Sequence, residues 1–323
     1  MKSFAKSLFI LSIFFVPLFQ SCSDESSNDP GGEDVNKQIE KGILNLRITD
    51  APIDDARVMS AFMTFSGVKL DTQTILFDNK VTLDMLALQD GETTTLFNDS
   101  IKVGQYSTLE LLVDYDIDAS GNQPGCYVLD DMNVKHDLKT ENQDNISISL
   151  NQVESEIKKG LNSQLTIDMD LRKAIQYELN PIDDDKYTFN TDLNSTIRIV
   201  DTNHFTIDGS IQDILDISGD KTIVYVYRKG AFDTDMEVDN NSQFQFKNAI
   251  TSTMVDENGK FEIHFLQQDD YELRIISFNT MDDGSLEAKG IVEVTALTEI
   301  DPLGVLLDSN LEINMTAVAV TPF

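Results

Sequence analysis

The chain of 323 residues has no tryptophan, two cysteines, three histidines and seven prolines, and its 24 Lys and Arg are outnumbered by 56 Asp and Glu. Each shortage closes off a class of function. Nucleic-acid binding needs clustered Lys and Arg against phosphates. A formal net charge of −32 repels such anions and favours solubility instead. His136, His204 and His264 stand in separate segments, with no His-Glu-x-x-His or related spacing, so a zinc site has no framework. No Gly-x-Ser-x-Gly elbow and no Gly-rich phosphate loop occurs. Sugar sites draw on large aromatic platforms, and without Trp that role falls to the 8 tyrosines, which weighs against a glycosidase or a lectin. Carboxylate pairs are available in any chain this acidic and discriminate nothing.

Long apolar runs are also scarce. The one at the N-terminus, Leu8 to Phe19, is interrupted by Pro17. It falls short of the about 20 apolar residues a transmembrane helix needs. Behind Lys2 and Lys6 it has the form of a secretory signal. Gln20-Ser21-Cys22 follows where cleavage is expected. A small residue before a Cys at the end of such a stretch resembles the lipobox of bacterial lipoproteins. The resemblance implies a signal peptide over 1–21 and acylation of Cys22, palmitate among the chains, with the membrane as partner. Two or more acyl chains give stable anchoring, at roughly 0.8 kcal/mol per buried CH₂. Removing Lys2 and Lys6 leaves 22 cations against 56 acids, or −34. Cys126 is then the remaining thiol, and no intramolecular disulfide is available. Residues 22–41 are acidic, turn-rich and too poor in apolar residues to fold, a tether with a span on the order of 25 Å. Ser23-Asp24-Glu25 resembles the signal that sends lipoproteins of the Bacteroidetes to the outer face of the outer membrane, so the expected location is that surface, facing the exterior.

Period-two alternation dominates the rest. Leu165, Ile167, Met169 and Leu171 fall on one face, and Gln164, Thr166, Asp168 and Asp170 on the other. This is the pattern of a strand with one buried and one solvated face. It recurs in ILNLRIT from Ile43, TLELLVDY from Thr108, ISISL from Ile146 and STIRIV from Ser195. One helix is predicted from Leu171 (LRKAIQYEL), stopped by Pro181. The pattern pauses at Asp201-Thr202-Asn203, then resumes with Phe205, Ile207 and Ile211 and with TIVYVYRKG from Thr222. Asn258-Gly259, between VDE and KFEIHF, predicts a hairpin with positive φ at both positions. YELRIIS, GIVEVTAL and NLEINMTAVAV complete an all-β chain of two β-sandwich domains in tandem, over 42–201 and 203–323.

Three stretches carry a family resemblance: ILNLRITDAP from Ile43, VTLDMLALQDGETTTL from Val81 with VGQYSTLELLVD after it, and LTIDMDLRK from Leu165 before TIRIV. Together they resemble domain of unknown function 4382 over about 42–201, which transfers no functional residue. Asp50-Ala51-Pro52 has a local explanation: Asp favours nearby backbone hydrogen bonds, and Pro stops a strand. Residues 203–320 resemble the transthyretin-like or carboxypeptidase-regulatory sandwich, with Asp270 where that family has Gly before Tyr271. The resemblance implies a spacer or adhesive module.

Asp114, Asp116 and Asp118 alternate through VDYDIDASGN and would share one strand face, where a hard cation such as Ca²⁺ would neutralise them. The helix–loop–helix calcium pattern fails, because Ala119 replaces its Gly and Gly125 its bidentate Glu. A solvated strand end explains the same residues. Asp183-Asp184-Asp185, Asp233/Asp235 and Asp282-Asp283 read as solvated loops, and Cys126 as a buried thiol. No catalytic residue and no organic cofactor is indicated. The expected function is a non-enzymatic, membrane-anchored surface lipoprotein presenting a binding or adhesion face to a protein or polysaccharide. The alternatives are a fimbria-like subunit that donates its C-terminal TAVAVTPF strand, and a carboxylate-dependent hydrolase.

Overall fold

The structure, a computed structural model, describes residues 40–51, 57–138, 147–177, 187–189, 196–200, 202–238, 245–282 and 284–323. The expected signal peptide, Cys22 and the expected tether up to residue 39 lie outside the described residues. No described helix is long and apolar enough to cross a membrane.

The chain is all-β. Its first part is a sandwich of two sheets. One contains β12 (Ile197–Val200), β9 (Asn162–Asp170), β1 (Lys41–Ala51) and β4 (Thr94–Lys102), in that order. The other runs β7 (Lys135–Asp137), β6 (Tyr127–Asp130), β2 (Val58–Leu70), β5 (Gly104–Val113), β8 (Ser147–Ile157), with β3 (Gln73–Asp84) also paired to β2. Alternating apolar residues fill the space between them: Leu44, Leu46, Ile48, Ile167 and Met169 from the first sheet, and Met63, Phe65, Val68, Leu109 and Leu111 from the second. The shift from odd to even core positions between Phe65 and Val68 is a β-bulge, which inserts one residue and restores the inward face.

The second part is one continuous sheet: β15 (Thr251–Met254), β14 (Lys221–Arg228), β17 (Asp269–Thr280), β18 (Leu286–Ala296), β20 (Leu311–Pro322), β13 (Phe205–Gln212) and β16 (Lys260–Leu266), with β19 (Val305–Leu307) on β17. The sheet curls until its edges β15 and β16 touch. It encloses Ile207, Val224, Val226, Leu273, Ile313 and Met315. β14 is buried on both faces, because Tyr225 and Tyr227 pack outward under Phe246 and Ala249. This accounts for its unbroken β-branched and aromatic run. Four residues, 201–204, separate β12 from β13. Among the described residues no hydrogen-bonded ladder joins β1–β12 to β13–β20, yet residues 39–323 pack as one compact unit.

Two local expectations change. The predicted helix is a single turn, α1 (Leu171–Ala174), after which β10 (Ile175–Tyr177) pairs with β11 (Tyr187–Phe189). β-Branched and aromatic residues at 175–177 favour the strand once partners exist. The Asn258-Gly259 turn forms, closed by Gly259 N–H to Asp256 O at 3.0 Å and Asp256 N–H to Lys260 O at 2.8 Å. Of its two central positions, though, only Gly259 has positive φ (+76°), and β15 and β16 then leave for opposite ends of the sheet instead of pairing.

A buried polar seam as candidate functional site

β9 places its core residues as period two requires, but beyond the exposed Gln164 its polar face is withdrawn from water. Thr166, Asp168 and Asp170 are 6 %, 5 % and 6 % exposed. Burying carboxylates is costly without partners, and the short helical turn supplies them. Arg172 donates to Asp170 through Nη2 (2.7 Å) and Nε (3.3 Å), and reaches across to the Phe246 carbonyl through Nη1 (2.7 Å). Lys173 Nζ stands 3.2 Å from Asp170 Oδ2 and donates to the Ala249 carbonyl at 2.7 Å. From β12, Arg198 Nε donates to Asp168 Oδ2 at 2.8 Å, and its Nη1 to the Phe265 carbonyl at 2.7 Å. Three cations of the first module thus each join an acid on their own side to a backbone carbonyl of the second. Burial alone would raise Asp170, but the charges of Arg172 and Lys173 and their hydrogen bonds outweigh it and hold the carboxyl below the ordinary range. Burial pulls Lys173 below the ordinary lysine value, against the pull of Asp170.

Asp50 is the penultimate residue of β1, which runs parallel to β9, with its Cα opposite Met169 and flanked by the Thr49–Asp168 and Ala51–Asp170 pairs. The local bond expected of Asp50-Ala51-Pro52 would involve residues 52–56, which lie outside the described residues. Asp50 Oδ1 accepts a long 3.4 Å bond from the Leu171 N–H, 121 residues away in sequence. Oδ2, in a residue 6 % exposed, has no hydrogen-bond partner. Burial first, and then the charges of Asp168 and Asp170, push its pKa well above the ordinary carboxylate value.

Asp50 lines a cavity of about 20 Å³ between the modules, with Asp90, Asp168, Ser252, Glu262 and His264 among its walls. That volume holds about one water. Ser252 Oγ and His264 Nε2 are likewise buried without hydrogen-bond partners; His264 Nε2 lies 3.2 Å from Glu262 Oε2 without the alignment of a bond. Gly91 closes one side. Its φ of +80° and a Cβ position 2.8 Å from the His264 ring leave no room for a side chain.

The aspartates singled out by alternation do not share a strand face. β5 ends at Val113, and Asp114, Asp116 and Asp118 lie in the loop beyond it. Asp114 is bound by Lys80 and accepts the N–H groups of Asp116 and Ile117, so that burial is outweighed and its pKa falls. Asp118 turns into its own loop and accepts from the backbone of Asn122 and Ser120, which lowers its pKa. Asp116 is exposed. The alternation ends with the ladder, and Asp114 and Asp118 cap turns. Among the described residues no three His, Cys, Asp or Glu converge as a metal site requires. Asp183-Asp184-Asp185 lie outside the described residues. His136 is buried and bonds Asp130 at 2.8 Å. Cys126 is free and fully buried, and burial pushes its thiol up to about 12.

Residues 41–191 match the model of a family described as Domain of unknown function (DUF4382). The DUF4382 match includes Asp50, Asp168, Asp170, Arg172 and Lys173, and stops short of Arg198 and of every acceptor in the second module. No curated protein matches the chain. Solved structures that align with it include the Bacillus anthracis TIE protein (10 % identity, 87 % of this chain and 34 % of that one, TM-score 0.18). Others are BcpA, the major pilin subunit of Bacillus cereus (11 %, 87 % and 71 %, 0.21), and the tip fimbrial protein Mfa3 from Porphyromonas gingivalis (9 %, 87 % and 91 %, 0.19). The chain spans about a third of the first of these. TM-scores this low carry no argument about function.

The sequence held a signal for the seam that alternation alone overlooks. Asp168, Asp170, Arg172 and Lys173 crowd acids and cations into six residues at a strand end, with Asp50 in the family signature. Charges of both signs at such density fit mutual neutralisation under burial better than solvation.

Proposed function

We propose that the chain is a non-enzymatic surface lipoprotein, acylated at Cys22 and held at the outer membrane facing the exterior, that presents its two modules as one binding or adhesion unit to a protein or polysaccharide. The observation that carries this reading is the seam. In a chain with 24 cations against 56 acids, Arg172, Lys173 and Arg198 are committed to clamping one module on the other. That use favours display of a fixed surface. The cavity beside them, at about 20 Å³, suits a water and not a substrate. Two measurements test the reading. Cys22→Ala should shift the protein from the detergent phase to the aqueous phase; unchanged partitioning removes the anchor. The soluble chain from Ser23, incubated with arrayed glycans and matrix proteins, should retain some of them without releasing product; hydrolysis of any of them overturns the non-enzymatic assignment.

A second reading, a subunit polymerising by strand exchange, is favoured by one observation. β20 lies inside the second sheet, parallel to β13 and antiparallel to β18. Vacating it would open a slot that the same strand of another copy fits. Size measurement of the soluble chain separates the two: ordered multimers favour exchange, and a concentration-independent monomer favours the binding unit.

A further inference from the structure

The acids and cations of the seam do not balance at Asp50. Asp168 has Arg198, and Asp170 has Arg172 and Lys173. All three cations are also committed to carbonyls of the second module. Among the described residues no cation bonds Asp50, whose Oδ2 is buried without a partner, and Asp50 is one of the residues that line the cavity between the modules. The described groups that line that cavity are mostly acids: Asp90 from the loop after the Met85–Leu88 turn, Asp168 from β9 and Glu262 from β16, with His264 of β16 beside Glu262 as the one group there that can carry a positive charge. Gln89 and the Leu171 N–H supply polar but uncharged contacts to the same carboxyl.

From this arrangement we infer that the seam is a proton-operated joint, closed while Asp50 carries its proton and loosened when Asp50 ionises beside Asp168 and Asp170. As a neutral acid, Asp50 carries an O–H beside a cavity that Ser252, its hydroxyl also unpartnered, helps to line and that has room for one water. As a carboxylate it is a third buried anion near Asp168 and Asp170, whose cations are already engaged. The repulsion is relieved by parting the modules and admitting solvent. The raised proton affinity of Asp50 agrees with this geometry.

The sign follows from linkage. A carboxyl whose folded pKa lies above its unfolded value favours the folded state fully at low pH. That contribution is lost as pH rises from the unfolded value through the folded one, and is constant beyond it. Asp50→Asn keeps the shape and cannot ionise. Urea unfolding of the chain from Ser23, wild type against Asp50→Asn at constant ionic strength, should give coincident stabilities near about pH 4. Above that, the variant gains on wild type by up to tenfold in the unfolding constant per pH unit until the folded pKa is passed. Hydrogen exchange across 245–255, compared with the variant at each pH, should rise in wild type over the same window. Superimposable profiles, or a constant offset at every pH, overturn the joint. If the variant does not fold, the ¹³C carboxyl shift of Asp50 in wild type decides: titration in the ordinary carboxylate range overturns the inference, and titration well above it with the exchange increase upholds it.

Discussion

Arg172 touches three acceptors in two modules while almost wholly withdrawn from water. Its loss leaves Asp170 with one cation and the Phe246 carbonyl without its donor. Arg172→Ala should therefore cost about 3–5 kcal/mol in urea unfolding, the range for breaking one partner out of a buried pair. Arg172→Lys restores charge without the fork and should recover only part of it. Asp170, held below the ordinary range, works in the opposite sense to Asp50. Its contribution is present above the unfolded pKa and is lost as pH falls through the folded one, so it steepens acid unfolding. Cys126, its thiol pushed up to about 12 and enclosed in the core, should resist iodoacetamide in the native chain at about pH 8 and label fully in guanidinium, read by intact mass. Labelling at equal rates in both states would mean the core opens there. Burial of Cys126 was legible from its type. The role of Asp50 was not, because its decisive neighbours are more than a hundred positions away in sequence.

At the scale of elements, alternation located the strands but not what covers each face. β9 alternates apolar and polar from Gln164 onward, and on its polar side Thr166, Asp168 and Asp170 are buried against protein while Gln164 stays exposed. A second polar surface covering the first leaves the same sequence trace as solvent. The single turn at 171–174 and the strand after it read as one helix in sequence, since apolar spacing over so few residues fits both periods. The turn at 256–260 was legible, but its strands' partners were not, because pairing depends on β14 and β13. Gly259 is nonetheless rigidly required. At φ +76°, with a Cβ position 2.4 Å from the Ile211 carbonyl, Gly259→Ala should cost about 1–3 kcal/mol. A thermal shift within error of wild type would show that the turn relaxes freely.

For the whole molecule, the all-β class was readable from the first alternating stretch, and so was the pause at 201–203, beyond which β13 starts at Phe205. The coupling between the parts was not readable, because it runs through side-chain bonds to backbone carbonyls that carry no residue signature. It has a thermodynamic consequence: chains from Ser23 should melt in one cooperative transition, and Arg172→Ala should split it in two, measured by calorimetry. Two resolved transitions in wild type would mean that the seam contributes little. The short connection has a further effect. Five peptide units from Val200 to Phe205 reach at most about 18 Å, so modules that part at the seam remain within that leash. Each surface then meets the other at an effective concentration far above any free competitor. An opened seam therefore re-forms before another molecule can occupy it, and the joint behaves as a hinge that always finds its own latch.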